Sequence, residues 1–277
     1  MQTLDVKLIL CNPTLKEFGT TMKMTAANAV LVILITTSQA SADSSLCPSH
    51  LELGNPGGAD ITLCHDGYAL GYSYEHKIPI WCAYWIERET LDINVDRQDD
   101  FRGHPDVNAQ YGAGDSDYRG SGFDRGHCAP SGSIDYNVDA NSETFFYSNM
   151  FPQLPGFNRN MFGHKGVWGF LEGEVRSWTR KHGRMYVISG SYVPTEHQSI
   201  GEGVAVPTHF YKIVVNPSGP EVIAFWMPHR ENTRYDAASY LSSVDEIEEI
   251  TGLDFMSLLI DDQENDLERR IESSLWD

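Results

Sequence analysis

The sequence has few basic side chains for its acidic content. It carries 20 lysines and arginines against 39 aspartates and glutamates, which gives a formal net charge of −19 at pH 7. A protein that only coats a polyanion would be basic, so the charge excludes that class. If a nucleic acid is bound, the contact must come from a local cationic groove. The chain also lacks internal repeats and low-complexity stretches, which excludes a repeat architecture.

The apolar run Ala26–Ile35 is too short to span a bilayer as a helix. Lys23 precedes it and small residues ending at Ala42 follow it, which is typical of a secretory signal cleaved after Ala42. We therefore predict a leader over residues 1–42 and a single domain over residues 43–277. The mature protein is expected to be secreted, extracellular or periplasmic, without a membrane anchor.

Cysteine is scarce, with five residues, and Cys11 falls in the predicted leader. The four cysteines of the mature chain are Cys47, Cys64, Cys82 and Cys128. An even number in an exported chain predicts two disulfides, with three possible connectivities, of which Cys47–Cys64 is the favoured first pair. The adjacent Cys-His pairs at 64–65 and 127–128 leave a zinc site as the alternative, although no CxxC spacing supports it.

Hydrophobic patterning predicts a mixture of strands and helices. A helical spacing of apolar residues covers residues 166–182, with cations near its C-terminal end, where they suit the helix dipole. The acidic run over residues 244–277 favours a solvated helix face. Runs rich in aromatic and β-branched residues predict strands over residues 68–75, 78–87, 185–190, 208–215 and 221–228.

The segment "GFDRGHCAPSG", residues 122–132, is the densest cluster of reactive side chains. Asp124, Arg125 and His127 lie within four positions, between glycines and just before a proline. We predict a turn or strand end here, because reactive groups are commonly held on such segments and glycines allow close backbone approach to a ligand. An imidazole with an ordinary pKa near 6.5 is a suitable proton acceptor close to neutral pH.

Further motifs follow this segment along the chain. They are "FYSNMFPQLPGFNRN", "GVWGFLE", "VAVPTHFYKIVV" and "VDEIEEITGLDF". With "YRGSGFDRGH", this series resembles the DNA/RNA non-specific endonucleases, from about Arg97 to the C-terminal helices. The resemblance implies an α+β fold with a central, largely antiparallel sheet flanked by helices, and a ββα-metal (His-Me finger) active site.

The resemblance also implies roles for individual residues. His127 corresponds to the general base that activates water, and Asn158 to the direct protein ligand of a single Mg²⁺, with Mn²⁺ as a possible substitute. Magnesium prefers oxygen ligands and keeps several waters, which agrees with an asparagine ligand. Glu172 and Asp124 would hold the metal through its waters.

The remaining implied roles concern the phosphate. Arg125 and one upstream arginine would bind it, with Arg97 the best upstream candidate and Arg102 and Arg119 competing. Asn149 corresponds to a site asparagine, for which the sequence provides no separate role.

The chain departs from the family in one place. Asn158 precedes Trp168 by ten residues and Glu172 by fourteen, where the family usually has four and eight, so six residues are inserted after Asn160. On one continuous helix, fourteen residues span about 21 Å, too far for Asn158 and Glu172 to share an ion. Either the insertion loops out or Glu172 has lost its role. Counting back from Glu172 makes His164 the alternative ligand.

We therefore predict a secreted, magnesium-dependent endonuclease that hydrolyses the phosphodiester bonds of DNA and RNA. Contacts made chiefly to phosphates carry little sequence information, so cleavage should be non-specific. The alternative is a catalytically impaired, nuclease-like protein that binds nucleic acid or another anion, because the insertion has broken its metal site.

Overall fold

A large antiparallel sheet is the centre of the fold. The computed structural model describes residues 47–159, 166–219, 221–231 and 234–277, so the predicted leader lies outside the described residues. The strands are β1 Ile61–Cys64, β2 Ala69–Ser73, β3 Ile78–Glu87, β4 Asp124–His127, β5 Met150–Gln153, β6 Arg184–Tyr192, β7 Gln198–Ile200, β8 Val204–Val206, β9 His209–Asn216, β10 Glu221–Pro228 and β11 Leu241–Ser242. Within the described ranges, seven strands form the main sheet in the order β1-β2-β3-β6-β9-β10-β11, with every neighbouring pair antiparallel.

Helices cover both faces of this sheet. They are α1 Asp115–Tyr118, α2 Val138–Glu143, α3 Pro155–Asn158, α4 Val167–His182, α5 Val244–Thr251 and α6 Asp261–Glu268. The predicted α+β class is confirmed. Each of the five predicted strands is found, as β2, β3, β6, β9 and β10, and the predicted helix is α4.

Side chains alternate between the two faces, as the two-residue period of a strand requires. On β3, Cys82 and Tyr84 belong to the core on the side of α4, whereas Trp81 and Ala83 belong to the core on the side of α5 and α6. We call these sides the α4 face and the α5–α6 face. Burial on both faces makes the central strands almost continuously apolar.

Two disulfides tie flanking segments to the sheet. Cys47 is bonded to Cys64 at the end of β1, and Cys82 on β3 is bonded to Cys128, directly after β4. The favoured Cys47–Cys64 pair is confirmed. The zinc alternative is wrong, because all four thiols of the mature chain are consumed by disulfides and none is left as a thiolate ligand.

The acidic C-terminal segment is more than a solvated helix face. Ile247 on α5 and Leu267 on α6 are buried in the core of the α5–α6 face. Glu268, the last residue of α6, is only 6% exposed. The interpretation as a solvated face is therefore wrong for this part of the run. Among the described residues, no helix is both long and apolar enough to cross a membrane.

Candidate active site

The reactive cluster forms a short strand. All four residues of "DRGH" lie in β4, which pairs with β5 so that Asp124 faces Gln153 and His127 faces Met150. A Cβ atom on Gly126 would lie 2.0 Å from the side chain of the fully buried Gln153, so this close approach requires glycine. The expectation of a turn or strand end is confirmed for His127, the last residue of β4. It is wrong for Asp124 to Gly126, which lie within the strand because pairing with β5 overrides their weak strand propensity.

α3 follows β5 directly, which gives a strand, strand, helix succession around the cluster. The short helix α3 ends at Asn158, and α4 begins at Val167. The backbone N–H of Gly166 donates to the carbonyl of Arg159 over 2.8 Å, so the chain returns next to the end of α3. A Cβ on Gly166 would lie 2.3 Å from the carbonyl oxygen of Phe157, which shows how closely the two ends pack.

This hydrogen bond explains the insertion. When residues 160–165, which lie outside the described residues, are left out of the count, Asn158 precedes Trp168 by four positions and Glu172 by eight. Arg159 and Gly166, the described residues on either side of this segment, are thus in direct contact, which agrees with an insertion of six residues that leaves the spacing around it unchanged. His164, the alternative ligand, lies in that undescribed segment.

His127 is a buried imidazole next to two aromatic rings that also contact each other. It is 9% exposed, and its ring centroid lies 5.3 Å from that of Phe145 and 6.2 Å from that of Phe101. Its Nε2 atom is buried with no hydrogen-bond partner among the described residues. Burial, together with the positive charges of Arg97 and Arg125, lowers the pKa of His127 to about 3. The ring is therefore neutral near pH 7 and able to accept a proton.

Arg97 and Arg125 stack on the same two aromatic rings. The Arg97 guanidinium lies 4.6 Å from the centre of the Phe145 ring, and the Arg125 guanidinium lies 4.0 Å from the centre of Phe101. Such cation–π contacts hold the planar groups in place while leaving their N–H groups able to bind. The side chains are 50% and 37% exposed, respectively, so an anion can reach both.

A cavity of about 530 Å³ opens in front of these arginines. Four predicted site residues line it, namely Arg97, Asp124, Arg125 and Asn158. Arg119, one of the competing arginines, also lines the cavity and pairs with Asp115. Arg102 does not line it: its guanidinium donates to Asp100 and to the Ser142 carbonyl and lies over the Phe146 ring.

Asp124 connects β4 to α3. Its Oδ2 accepts from Asn158 Nδ2 at 3.0 Å and from Arg159 Nε at 2.7 Å, and its Oδ1 accepts from the second arm of the Arg159 guanidinium. A paired, fork-like arginine contact of this kind is geometrically specific. With its amide nitrogen engaged by Asp124, Asn158 presents its amide oxygen to other partners.

Asn149 is a buried residue that supports the backbone next to β4. It is fully buried, its Oδ1 accepts from the backbone N–H of Ala129, and its Nδ2 donates to the carbonyls of Ala129 and Thr144, each at 2.9 Å. Its own carbonyl accepts from the N–H of Cys128. The side chain thus holds the backbone that follows His127, and neither Asn149 nor His127 nor Glu172 is among the residues that line the cavity.

Glu172 lies one turn after Trp168 on α4, in a partly buried position. Burial raises the pKa of Glu172, whereas the charges of Lys212, Arg176 and Arg97 oppose that rise. Lys212 itself is 1% exposed; its Nζ donates to Ser189 at 2.7 Å and lies 4.1 Å from the centre of the Trp168 ring. Glu172 therefore has a fixed cationic environment beneath the site.

The donor set agrees with a hard cation. Asn158, Asp124 and Glu172 offer only oxygen atoms, which are the ligands that Mg²⁺ and Mn²⁺ take in proteins. The Asn158 amide is oriented by its hydrogen bond to Asp124, as expected for a metal ligand supported by its neighbours. These residues could hold Mg²⁺ next to the two arginines.

Sequence reasoning missed three residues of this region. Arg159, the middle residue of "NRN", pairs with Asp124, and Asp115 pairs with Arg125 at 3.4 Å. Lys212 is the third, and a single lysine inside the apolar strand "HFYKIVVN" was the signal that could have revealed it. The sequence signal for Asp115 was weaker: Arg119 follows it by four positions, a spacing at which opposite charges pair along a helix.

Comparison with known proteins defines the class. Residues 48–262 match the sequence profile described as DNA/RNA non-specific endonuclease. Nuclease C1 of Cunninghamella echinulata var. echinulata is 33% identical over 76% of this chain and 88% of its own length. A nuclease of a Nostoc species is 33% identical over 85% of this chain and 92% of its own length. Human mitochondrial endonuclease G is 34% identical over 73% of this chain and 71% of its own length.

The fold leads to the same class. A chain in the crystal structure of the EndoG/EndoGI complex superposes with a TM-score of 0.70 at 28% identity, covering 82% of this chain and 96% of that one. The protein is thus an endonuclease, a hydrolase of phosphodiester bonds. It belongs to the DNA/RNA non-specific endonuclease family.

Proposed function

We propose that this protein is an exported, magnesium-dependent nuclease that cleaves both DNA and RNA without sequence preference, with His127 as the general base. The observation that carries the proposal is a buried, neutral imidazole packed against the two phenylalanine rings on which Arg97 and Arg125 stack, with both arginines lining a polar cavity. A base must be unprotonated before it takes a proton from water, and this environment keeps the ring in that form.

Substrate binding strengthens the base. Burial is the main cause of the lowered pKa of His127, and the positive charges of Arg97 and Arg125 lower it further. A bound phosphate offsets the charge of the two arginines, so their part of the lowering is reduced and the imidazole holds a proton more readily when a phosphodiester is in place. The same two arginines stabilise the negative charge that develops on phosphorus oxygens.

Asn158 is proposed as the direct ligand of Mg²⁺, and Asp124 and Glu172 as the carboxylates that hold its waters. Bound there, Mg²⁺ would supply the positive charge that stabilises the phosphate and the leaving oxygen. Asp124 also accepts from the Asn158 amide and pairs with Arg159, so it positions the proposed ligand in addition to any contact with a metal-bound water. Asn149 acts in the same indirect way, by fixing the backbone after His127.

The proposed nucleophile is water rather than a ribose 2′-hydroxyl. A reaction of this type does not distinguish DNA from RNA. The cationic groups at the cavity are suited to phosphates, and phosphate contacts position a nucleic acid without reading its sequence.

The impaired, binding-only alternative rested on the insertion. The hydrogen bond between Gly166 and Arg159 supports an intact site, because the family spacing from Asn158 to Glu172 is kept once residues 160–165 are left out. The two functions are separated by the same experiment that tests the proposal.

The proposed destination is outside the cytoplasm. The two disulfides support export, because such bonds persist in oxidising compartments. Mitochondrial relatives exist, so the destination needs its own measurement. Amino-terminal sequencing of the protein secreted by producing cells should find a mature chain that begins at Asp43. A cell-associated protein that retains residues 1–42 would refute export.

The test of activity is digestion of plasmid DNA and of a structured RNA, each with Mg²⁺ and with EDTA. Both substrates should be cut with Mg²⁺ and neither with EDTA. His127→Ala should lose about 10²-fold or more on both, since general bases typically contribute that much. His182→Ala, at the far end of α4, is the matched control and should keep wild-type rates.

Three results would contradict the proposal. A His127→Ala protein that retains more than about a tenth of the wild-type rate would exclude the general-base role. A wild-type protein that binds both nucleic acids but cuts neither would establish the binding-only alternative. Cleavage that persists in EDTA would exclude the metal requirement.

A further inference from the structure

A second group of carboxylates lies on the α5–α6 face of the sheet. Asp245 and Glu248 lie three positions apart on α5, and Glu268 ends α6. Oxygen atoms from the three side chains lie within 4.8 Å of one another. The exposure varies from Asp245, which is exposed, through Glu248, which is partly buried, to Glu268, which is only 6% exposed.

One carboxylate oxygen of Glu268 has no partner among the described residues. Its Oε1 atom is buried, without a hydrogen bond to any described residue. A buried polar atom left in this way is costly and needs an explanation. Its position adds to the cost, because the C-terminal end of a helix carries partial negative charge and disfavours a carboxylate.

The surroundings increase this deficit of positive charge. Burial and the carboxylates of Glu248, Glu264, Asp245 and Asp254 raise the pKa of Glu268 to about 8. Burial likewise raises the pKa of Glu248 to about 7, with further acidic neighbours acting in the same direction. One oxygen of Glu248 is already used, since it accepts from the backbone N–H of Phe255 at 2.7 Å.

We propose that Asp245, Glu248 and Glu268 form a Ca²⁺ site that joins α5 to α6. The ligands are hard oxygens from flexible carboxylates, and Ca²⁺ accepts 6–8 such oxygens in irregular geometry, with the remaining positions filled by water. Ca²⁺ binds oxygens at about 2.3–2.6 Å, so ligand oxygens up to about 5.2 Å apart can share one ion, and the three carboxylates meet this condition. Mg²⁺ requires a near-ideal octahedron, which three flexible carboxylates from two helices are less suited to provide. The ion supplies the missing counter-charge of Glu268.

The site is structural and separate from the nuclease reaction. α5 and α6 place Ile247 and Leu267 in the core of the α5–α6 face, so an ion that clamps the two helices stabilises that core. In an exported protein, the ion would be taken up outside the cell. Ca²⁺ is expected to raise the unfolding temperature of the protein. This temperature can be measured without nucleic acid and without an activity assay.

The experiment measures the Tm of metal-stripped protein with increasing Ca²⁺ at constant ionic strength. At about 100 times the Kd, ligand linkage predicts a rise of roughly 5 to 10 °C for a domain of this size. The same rise is expected for Glu249→Gln, an exposed neighbour on α5, and for Asn158→Ala, which removes the ligand proposed for the other site. Asp245→Asn and Glu268→Gln should lose most of it.

Titration calorimetry gives the second measurement. In the Asn158→Ala background, one Ca²⁺ should bind per chain, and none after Glu268→Gln is added. The proposal is overturned if Ca²⁺ leaves the wild-type Tm unchanged, or if it raises the Tm of all variants equally. Should Glu268→Gln fail to fold, Asp245→Asn decides, because Asp245 is exposed and its replacement removes only a ligand.

Discussion

Gly166→Ala tests whether the junction of α3 and α4 sets the geometry of the active site. The added Cβ would lie 2.3 Å from the carbonyl oxygen of Phe157 and 2.8 Å from that of Gly156, where ordinary contact begins at 3.4 Å. Both obstacles are backbone atoms, which cannot rotate away. The start of α4 must therefore move from the end of α3 by about 1 Å.

That movement separates Asn158 from Glu172, since each lies on one side of the junction. A misplacement of 1 Å costs about 10²-fold in rate when reacting groups must be aligned. Overpacking costs about 1–3 kcal/mol of stability, which corresponds to a Tm lower by roughly 2 to 12 °C. Activity at 25 °C should thus fall much further than the folded fraction does.

Cleavage rates on plasmid DNA and thermal unfolding measure the two effects. Gly173→Ala is the control within the same helix, because nothing lies within 4 Å of its added Cβ. In a helix interior, alanine should be about 0.5–1 kcal/mol more favourable than glycine, so this variant should be as active as wild type and slightly more stable. Wild-type cleavage by Gly166→Ala would refute the reasoning.

Three further predictions follow from the site and its supports. Asn158→Ala should abolish Mg²⁺-dependent cleavage and weaken Mg²⁺ binding measured by calorimetry, while His164→Ala should leave both unchanged; the reverse result would make His164 the ligand. Burial lowers the pKa of His65 from its ordinary value of 6.5 to about 3. The contribution of the neutral His65 to the free energy of unfolding is therefore complete above pH 6.5 and is lost as the pH falls toward 3. This difference in pKa corresponds to at most about 5 kcal/mol. His65→Phe should accordingly shift acid unfolding, followed by circular dichroism, to lower pH, and an unchanged midpoint would contradict this. Replacing Cys82 and Cys128 together by serine should lower the free energy of unfolding by about 2–5 kcal/mol in denaturant titrations, and an unchanged midpoint would show that the bond is dispensable.

The sequence was informative wherever burial dictated residue type. β3 spans the predicted residues 78–87 because both of its faces are covered, which selects an apolar and aromatic run. β4 could not be assigned in this way. Its Asp, Arg and Gly have weak strand propensity, and only the pairing with β5 and the packing of Gly126 on Gln153 make it a strand.

Other features depended on contacts between distant parts of the chain. No local signal shows that Arg159 pairs with Asp124, or that Gly166 returns to the end of α3. The burial of Glu268 could not be predicted either. A run of acidic residues indicates a solvated helix face, and only the structure shows that the apolar residues between them reach the core. The order of the motifs was enough to predict which residues belong to the site. The contacts that each of these side chains makes could be seen only in the folded structure.

The bond between Cys82 and Cys128 has a consequence for the cell that makes this enzyme. It fixes the end of β4, and the proposed base His127 is the residue before it. Disulfides do not persist in a reducing cytoplasm. Under the proposed export, we expect the newly made chain to lack this disulfide while it is still in a reducing cytoplasm. The enzyme would then reach full activity only after it has left that compartment, away from the nucleic acids of the cytoplasm.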